Sequence, residues 1–73
     1  MSPNELETLK VFEKDGAAGK GEISRRLGIS THYAATLCGS LWRKGYLEIL
    51  ERRRYRLTEK GLAELQEHLS QVR

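Results

Sequence analysis

The chain is poor in the features of enzymes, exported proteins and membrane proteins. It has one cysteine, Cys38, so no disulfide can form within it. That single thiol and two distant histidines, His32 and His68, make no metal-ligand set. No apolar run approaches the roughly 18 residues of a membrane span, and no signal segment is recognisable. A soluble, cytoplasmic protein without a membrane partner is expected. No Ser, His and Asp set and no pair of carboxylates in an apolar cleft can be picked out, so no catalytic residue is assigned and no enzyme is expected. The stretch "GAAGKG" at residues 16–21 fails as a phosphate-binding loop. The motif needs Gly where Lys14 stands and Ser or Thr where Gly21 stands. No cofactor is expected.

What is present fits one small domain spanning 1–73. A chain this short buries only about 60% of its unfolded surface, so stability is marginal unless it dimerises. The charge is unevenly spread. Between Lys20 and Lys60 lie ten basic and four acidic residues, whereas the two ends together are acidic. Basic clustering inside a folded unit points to a polyanionic partner.

Ser2-Pro3 opens a first helix, with Leu6, Leu9 and Phe12 on its inward face and Val11 pointing away; it ends near Asp15-Gly16. A loop follows, with a minimal strand around Ala18 to Lys20. "EISRRLG" reads as a second helix, with Ile23 and Leu27 inward and Gly28 as its stop. Ser30 caps a third helix from about Thr31 to Lys44, closed by Gly45. Helix, "GIS" turn, helix is the helix-turn-helix arrangement, over about 22–45. "YLEIL" and "RYRLT" read as a tight hairpin over about 46–58, lacking the usual Asn-Gly or Asp-Gly turn. Thr58 caps a last helix over about 59–72, striped by Leu62, Leu65, Leu69 and Val72. The class is mainly α with a small β-hairpin (α+β), in the order helix-helix-helix-hairpin-helix.

On a wheel at 100° per residue, Ala34, Leu37, Cys38 and Leu41 form the core face of the third helix. His32, Thr36, Gly39 and Arg43 lie opposite, with Ala35 and Ser40 beside them. No Asp or Glu occurs from Thr31 to Leu47. A helix entering the DNA major groove should avoid carboxylates, because phosphates flank it. Gly39 in mid-helix costs roughly 1 kcal/mol against Ala. Close approach to base edges is one reason for it; close packing against another helix or the hairpin is the other. Ser30, Thr31, His32 and Tyr33 sit at the helix start, where base contacts concentrate. His32 is either idle at the surface or a phosphate or base contact. Tyr33 either reaches a phosphate or covers the core edge.

Arg52, Arg53 and Arg54 cluster at the hairpin tip, with Arg56 beyond. Charge on an exposed strand edge protects against aggregation, but lysine would serve as well. Consecutive arginines favour bidentate phosphate contact or a narrow minor groove. Arg25 and Arg26 on the second helix are further backbone-contact candidates.

"LGIS" at the turn, "L-x-x-x-G-Y-L" from Leu41 to Leu47 and "YRLTEKG" from Tyr55 to Gly61 complete a pattern that resembles winged helix-turn-helix transcription regulators of the MarR and PadR type. The resemblance covers about residues 5–66. It implies sequence-specific double-stranded DNA binding by a small transcription regulator. By position, the recognition helix is Thr31 to Lys44 and the wing is Glu51 to Arg56. Base reading then falls on Thr31, His32, Tyr33, Ala35, Thr36 and Ser40. Trp42 and Gly39 stand where such proteins often carry charge. Full MarR proteins have further helices on both sides that build the dimer and a ligand pocket. These are not matched here, so no small-molecule ligand is expected. A winged-helix protein-interaction module and RNA binding by the same basic surface are the alternatives.

Leu65, Leu69 and Val72 are candidates for a helix-to-helix contact in a homodimer; fraying of Leu69 and Val72 is the competing reading. Trp42 either covers the hairpin base or joins a partner surface. Cys38, on the core face, reads as a small hydrophobe more than a redox sensor.

Overall fold

A computed structural model describes residues 1–70. Helix α1 (Pro3–Asp15) starts where Ser2 caps it. The Ser2 hydroxyl accepts from the Glu5 N–H, and the Glu5 carboxylate accepts from the Ser2 N–H, a reciprocal box. Strand β1 (Ala17–Ala18) is short. Helix α2 (Lys20–Leu27) begins two residues before the expected start, because Glu22 Oε1 accepts from the Gly19 N–H and draws Lys20 into the first turn. The expected strand at Ala18 to Lys20 is therefore displaced to Ala17–Ala18. Helix α3 (Thr31–Arg43), strand β2 (Leu47–Leu50), a tight turn at Glu51–Arg53, strand β3 (Arg54–Leu57) and helix α4 (Glu59–Ser70) complete the chain.

The three strands form one antiparallel sheet in the order β1-β3-β2. Ala18 pairs with Tyr55, and Ile49 with Tyr55 on its other side. The hairpin is thus not a free ribbon: its second strand is also tied to the segment between α1 and α2.

The core is built from Leu9, Phe12, Ala18, Ile23, Ala34, Cys38, Leu41, Leu47 and Leu65. Val11 belongs to it as well, at 8% exposure, contrary to the expectation that it points away. Helix α1 is wrapped by α2, α3, α4, β1 and β3, so more than one face of it is covered. A one-sided stripe is the wrong template for such a helix.

The "TEKG" segment has a packing reason. Thr58 Oγ1 donates to the Gly45 carbonyl at 2.6 Å and accepts from the Gly61 N–H at 3.0 Å. The Thr58 N–H donates to the Tyr46 carbonyl. These bonds press α4 onto the start of β2. A Cβ on Gly61 would stand 2.1 Å from the Tyr46 carbonyl oxygen, so only glycine fits there.

Leu65 is fully buried and is spent on the core, so it is not available as a dimer contact. Leu62 is instead exposed and lines an apolar groove of about 390 Å³ with Phe12, Gly16, Ala17 and Leu57. Leu69 is exposed, and Val72 lies outside the described residues. No helix among the described residues is long and apolar enough to cross a membrane.

Candidate nucleic-acid interface

Helices α2 and α3 are held at a fixed angle by their turn. Gly28 takes the left-handed conformation at φ 67°, and Ser24 accepts the Ile29 N–H on its carbonyl while donating its hydroxyl back to the Ile29 carbonyl. Ser30 then caps α3, its hydroxyl accepting from the Tyr33 N–H at 3.0 Å. The cap spends that oxygen on the helix, leaving the rest of the first turn outward.

Ala34, Leu37, Cys38 and Leu41 point into the core as the wheel requires. Thr31, His32, Thr36 and Arg43 are exposed, and Ala35 and Gly39 are half-buried. Thr36 Oγ1 donates to the His32 carbonyl at 3.2 Å. A Cβ on Gly39 would meet nothing within 4 Å. Close packing inside this chain is therefore not the reason for that glycine.

Two residues expected to read bases face elsewhere. Tyr33 Oη accepts from Asn4 Nδ2 at 2.9 Å, and Ser40 Oγ donates to Glu5 Oε2 at 2.9 Å. Both sit on the flank of α3 that turns toward the first turn of α1. Lys44 Nζ reaches the same Glu5 oxygen at 2.9 Å. Glu5 is 7% exposed, and the Lys44 ammonium above all, then the Ser2 N–H, hold its carboxyl down at about 2. Sequence reasoning missed Glu5. As a glutamate at the third helical position behind a Ser cap it reads fully as a capping residue, and only its second oxygen faces α3.

The arginines divide into two sets. Arg26 pairs with Asp15 at 2.9 Å, and Arg56 pairs with Glu48 across the β2–β3 hairpin. Arg54 donates to the Ala17 carbonyl at 2.8 Å and lies 3.4 Å from Glu22, so it staples the wing to β1 and α2. Arg25, Arg43, Arg52 and Arg53 are exposed and make no ion pair among the described residues. Arg54 was expected at the free tip; its pairing with Leu50 at the base of the turn explains the difference.

The tip is unusual in its backbone. Arg52 has φ 62° and Arg53 has φ 58°, and the Arg54 N–H closes the turn on the Glu51 carbonyl. Two central residues at positive φ define a type I′ turn, which strongly prefers Asn-Gly. Here two arginines hold both positions.

Trp42 remains 48% exposed, near the end of α3, and does not close over the core. Cys38 is fully buried, and burial pushes its thiol up to about 11, as an inert core group requires. No group of three or more metal-ligating side chains occurs among the described residues.

No family model matches the sequence, and no curated protein does. Solved structures do match in shape. The reduced form of MarR from E. coli superposes with a TM-score of 0.90 at 17% identity, over 96% of this chain and 52% of that one. YusO from Bacillus subtilis gives 0.89 at 20% identity, over 96% and 54%. FabT from Streptococcus pneumoniae, solved in complex with DNA, gives 0.83 at 28% identity, over 96% and 53%. The chain spans about half the length of the solved structures it matches. Its four helices and three-stranded antiparallel sheet are those of a MarR-type winged helix-turn-helix.

Proposed function

We propose that the chain binds double-stranded DNA as a small cytoplasmic transcription regulator, with α3 in the major groove and the wing on backbone or minor groove. The observation that carries this reading is the charge arrangement around α3. The exposed face of that helix has no carboxylate, and four arginines without acidic partners among the described residues, Arg25, Arg43, Arg52 and Arg53, lie on α2, α3 and the wing. FabT, of the same fold, has been solved with DNA. Thr31, His32, Ala35, Thr36 and Gly39 form the reading face; Arg25, Arg43, Arg52 and Arg53 supply phosphate contacts. The activity is binding, not catalysis. A homodimer would place two copies of α3 on two half-sites. Exposed Leu69 and the apolar groove lined by Leu62 support such a contact.

Duplex binding across about 50 to 200 mM salt tests the reading. Four phosphate contacts give a log–log slope of about −3.6 per protomer, so affinity should fall roughly 100-fold over that range. A salt-insensitive or absent interaction with duplex DNA sinks it. Tighter binding to single-stranded or duplex RNA than to DNA would favour the RNA alternative.

A further inference from the structure

Glu5 is an odd residue to find buried beside a basic surface. It sits in the first turn of α1, and its two oxygens do different work. Oε1 accepts from the Ser2 N–H at 3.0 Å and completes the helix cap. Oε2 crosses to α3, where it takes both the Ser40 hydroxyl and the Lys44 ammonium at 2.9 Å. Next to it, Asn4 donates to Tyr33 Oη. Positions 33, 40 and 44 share one side of α3, because seven and eleven residues are close to two and three whole turns. The first turn of α1 thus holds α3 along one flank, from its start to its end. We propose that this clasp, with Glu5 as its positioning residue, fixes the angle at which α3 is presented to DNA and keeps Lys44 off the phosphates.

The proposal rests on the DNA-binding reading and adds a residue that does not itself touch DNA. Its chemistry differs from that of the arginines. A lysine at the end of a groove-reading helix, in a basic domain, would ordinarily count as a phosphate contact. Here the ammonium is already committed to a carboxylate that is hydrogen-bonded from two further donors. Opening the clasp has two consequences. Helix α3 loses one of its lateral restraints, which weakens selection among sequences. Lys44 is released, which strengthens sequence-independent attraction.

The test uses a duplex selected by this chain from a random-sequence pool, and the unselected pool, each across 50 to 200 mM salt. Lys44→Met removes the donor, and Lys44→Gln keeps one that can still reach Glu5. With the clasp, Lys44→Met lowers the ratio of selected to unselected affinity about tenfold, Lys44→Gln retains it, and neither flattens the salt slope. If Lys44 touches phosphate instead, both variants flatten the slope by about 0.9 and leave the ratio alone, and the clasp is overturned. Glu5→Gln, checked for folding by circular dichroism, should lower the ratio similarly while steepening the slope by about 0.9. Salt-dependent wild-type binding with an unchanged ratio in Lys44→Met refutes the clasp alone. Absence of salt-dependent binding by the wild-type chain refutes the DNA reading and the clasp with it.

Discussion

Arg52 and Arg53 occupy the two positions where a hairpin turn is most demanding, at φ 62° and 58°. The left-handed region costs an L-residue with a Cβ roughly 1–2 kcal/mol. Replacing the pair by Arg52→Asn with Arg53→Gly installs the sequence such a turn prefers. Glycine removes its share of the strain and asparagine part of the other. The looser unfolded chain at glycine returns some of the gain, so a net stabilisation of about 1–2 kcal/mol is expected. In a domain of this size each kcal/mol moves Tm by about 4–8 °C. A thermal melt should therefore rise by about 5–10 °C. On the proposed DNA-binding reading the same variant loses two phosphate contacts, so its salt slope for duplex binding should flatten by about 1.8. Stability and binding move in opposite directions. The control is Arg52→Ala with Arg53→Ala, which removes both charges and keeps both strained positions. Its Tm should stay near wild type while its binding weakens as much. A fall in Tm for the Asn-Gly variant refutes the strain argument. A higher Tm with wild-type affinity and slope refutes the role given to the arginines.

Three other perturbations test separate parts of the account. Gly39→Ala adds a Cβ to open space, so denaturation should show a gain of roughly 0.5–1 kcal/mol; duplex affinity should fall if the helix approaches bases there, and an unchanged affinity removes that explanation. Gly61→Ala puts a Cβ onto the Tyr46 carbonyl, and urea unfolding should show a loss of about 3 kcal/mol or more, with wild-type stability contradicting the close packing. Glu5 has its folded carboxyl held at about 2 against 4.5, so its contribution is fully present above pH 4.5 and drains away as pH falls toward 2. Because Lys44 is half-exposed, that contribution is of order 2 kcal/mol. Glu5→Gln should therefore flatten the acid side of the stability curve, and a wild-type acid limb in that variant would show the carboxylate is not the group responsible.

The fold was readable wherever a local signal set it. Ser2-Pro3, Ser30 and Thr58 mark three helix starts, and Gly16, Gly28 and Gly45 mark stops, each at positive φ. These are short-range devices, and their residue types have few other uses. Strand β1 was not legible to the residue. Two alanines have no alternation to detect, and they become a strand only because β3 arrives beside them. Val11 failed for a related reason: how many sides of α1 are covered is decided by elements far along the chain. The division of α3 into a buried face and an exposed face without carboxylates was legible from the wheel. The wheel could not say which flank α1 would occupy, so Tyr33 and Ser40 stayed among the base readers. Arg54 and Arg56 joined the free arginines for want of the pairing register, though Glu48 opposite Arg56 follows once the hairpin centre is fixed.

The distribution of partners bears on why the basic residues are arginine. Asp15, Glu22, Glu48 and Glu5 are each engaged by a cation of the fold itself: Arg26, Arg54, Arg56 and Lys44. The first three of these pairs are largely exposed and each contributes little to stability, whereas Glu5 is buried. Their effect is to neutralise four acids of the fold, leaving Arg25, Arg43, Arg52 and Arg53 without an ion pair among the described residues. A surface selected only for solubility has no need to place two of these at positive φ, where lysine, asparagine or glycine would do as well or better. Keeping arginine at a strained turn works against the stability of an already small core. Such strain persists where the residue is needed for something outside the fold, and a planar guanidinium is the side chain suited to bidentate contact with phosphate. That is why the Asn-Gly exchange is the decisive perturbation: it separates what the turn prefers from what the arginines are for.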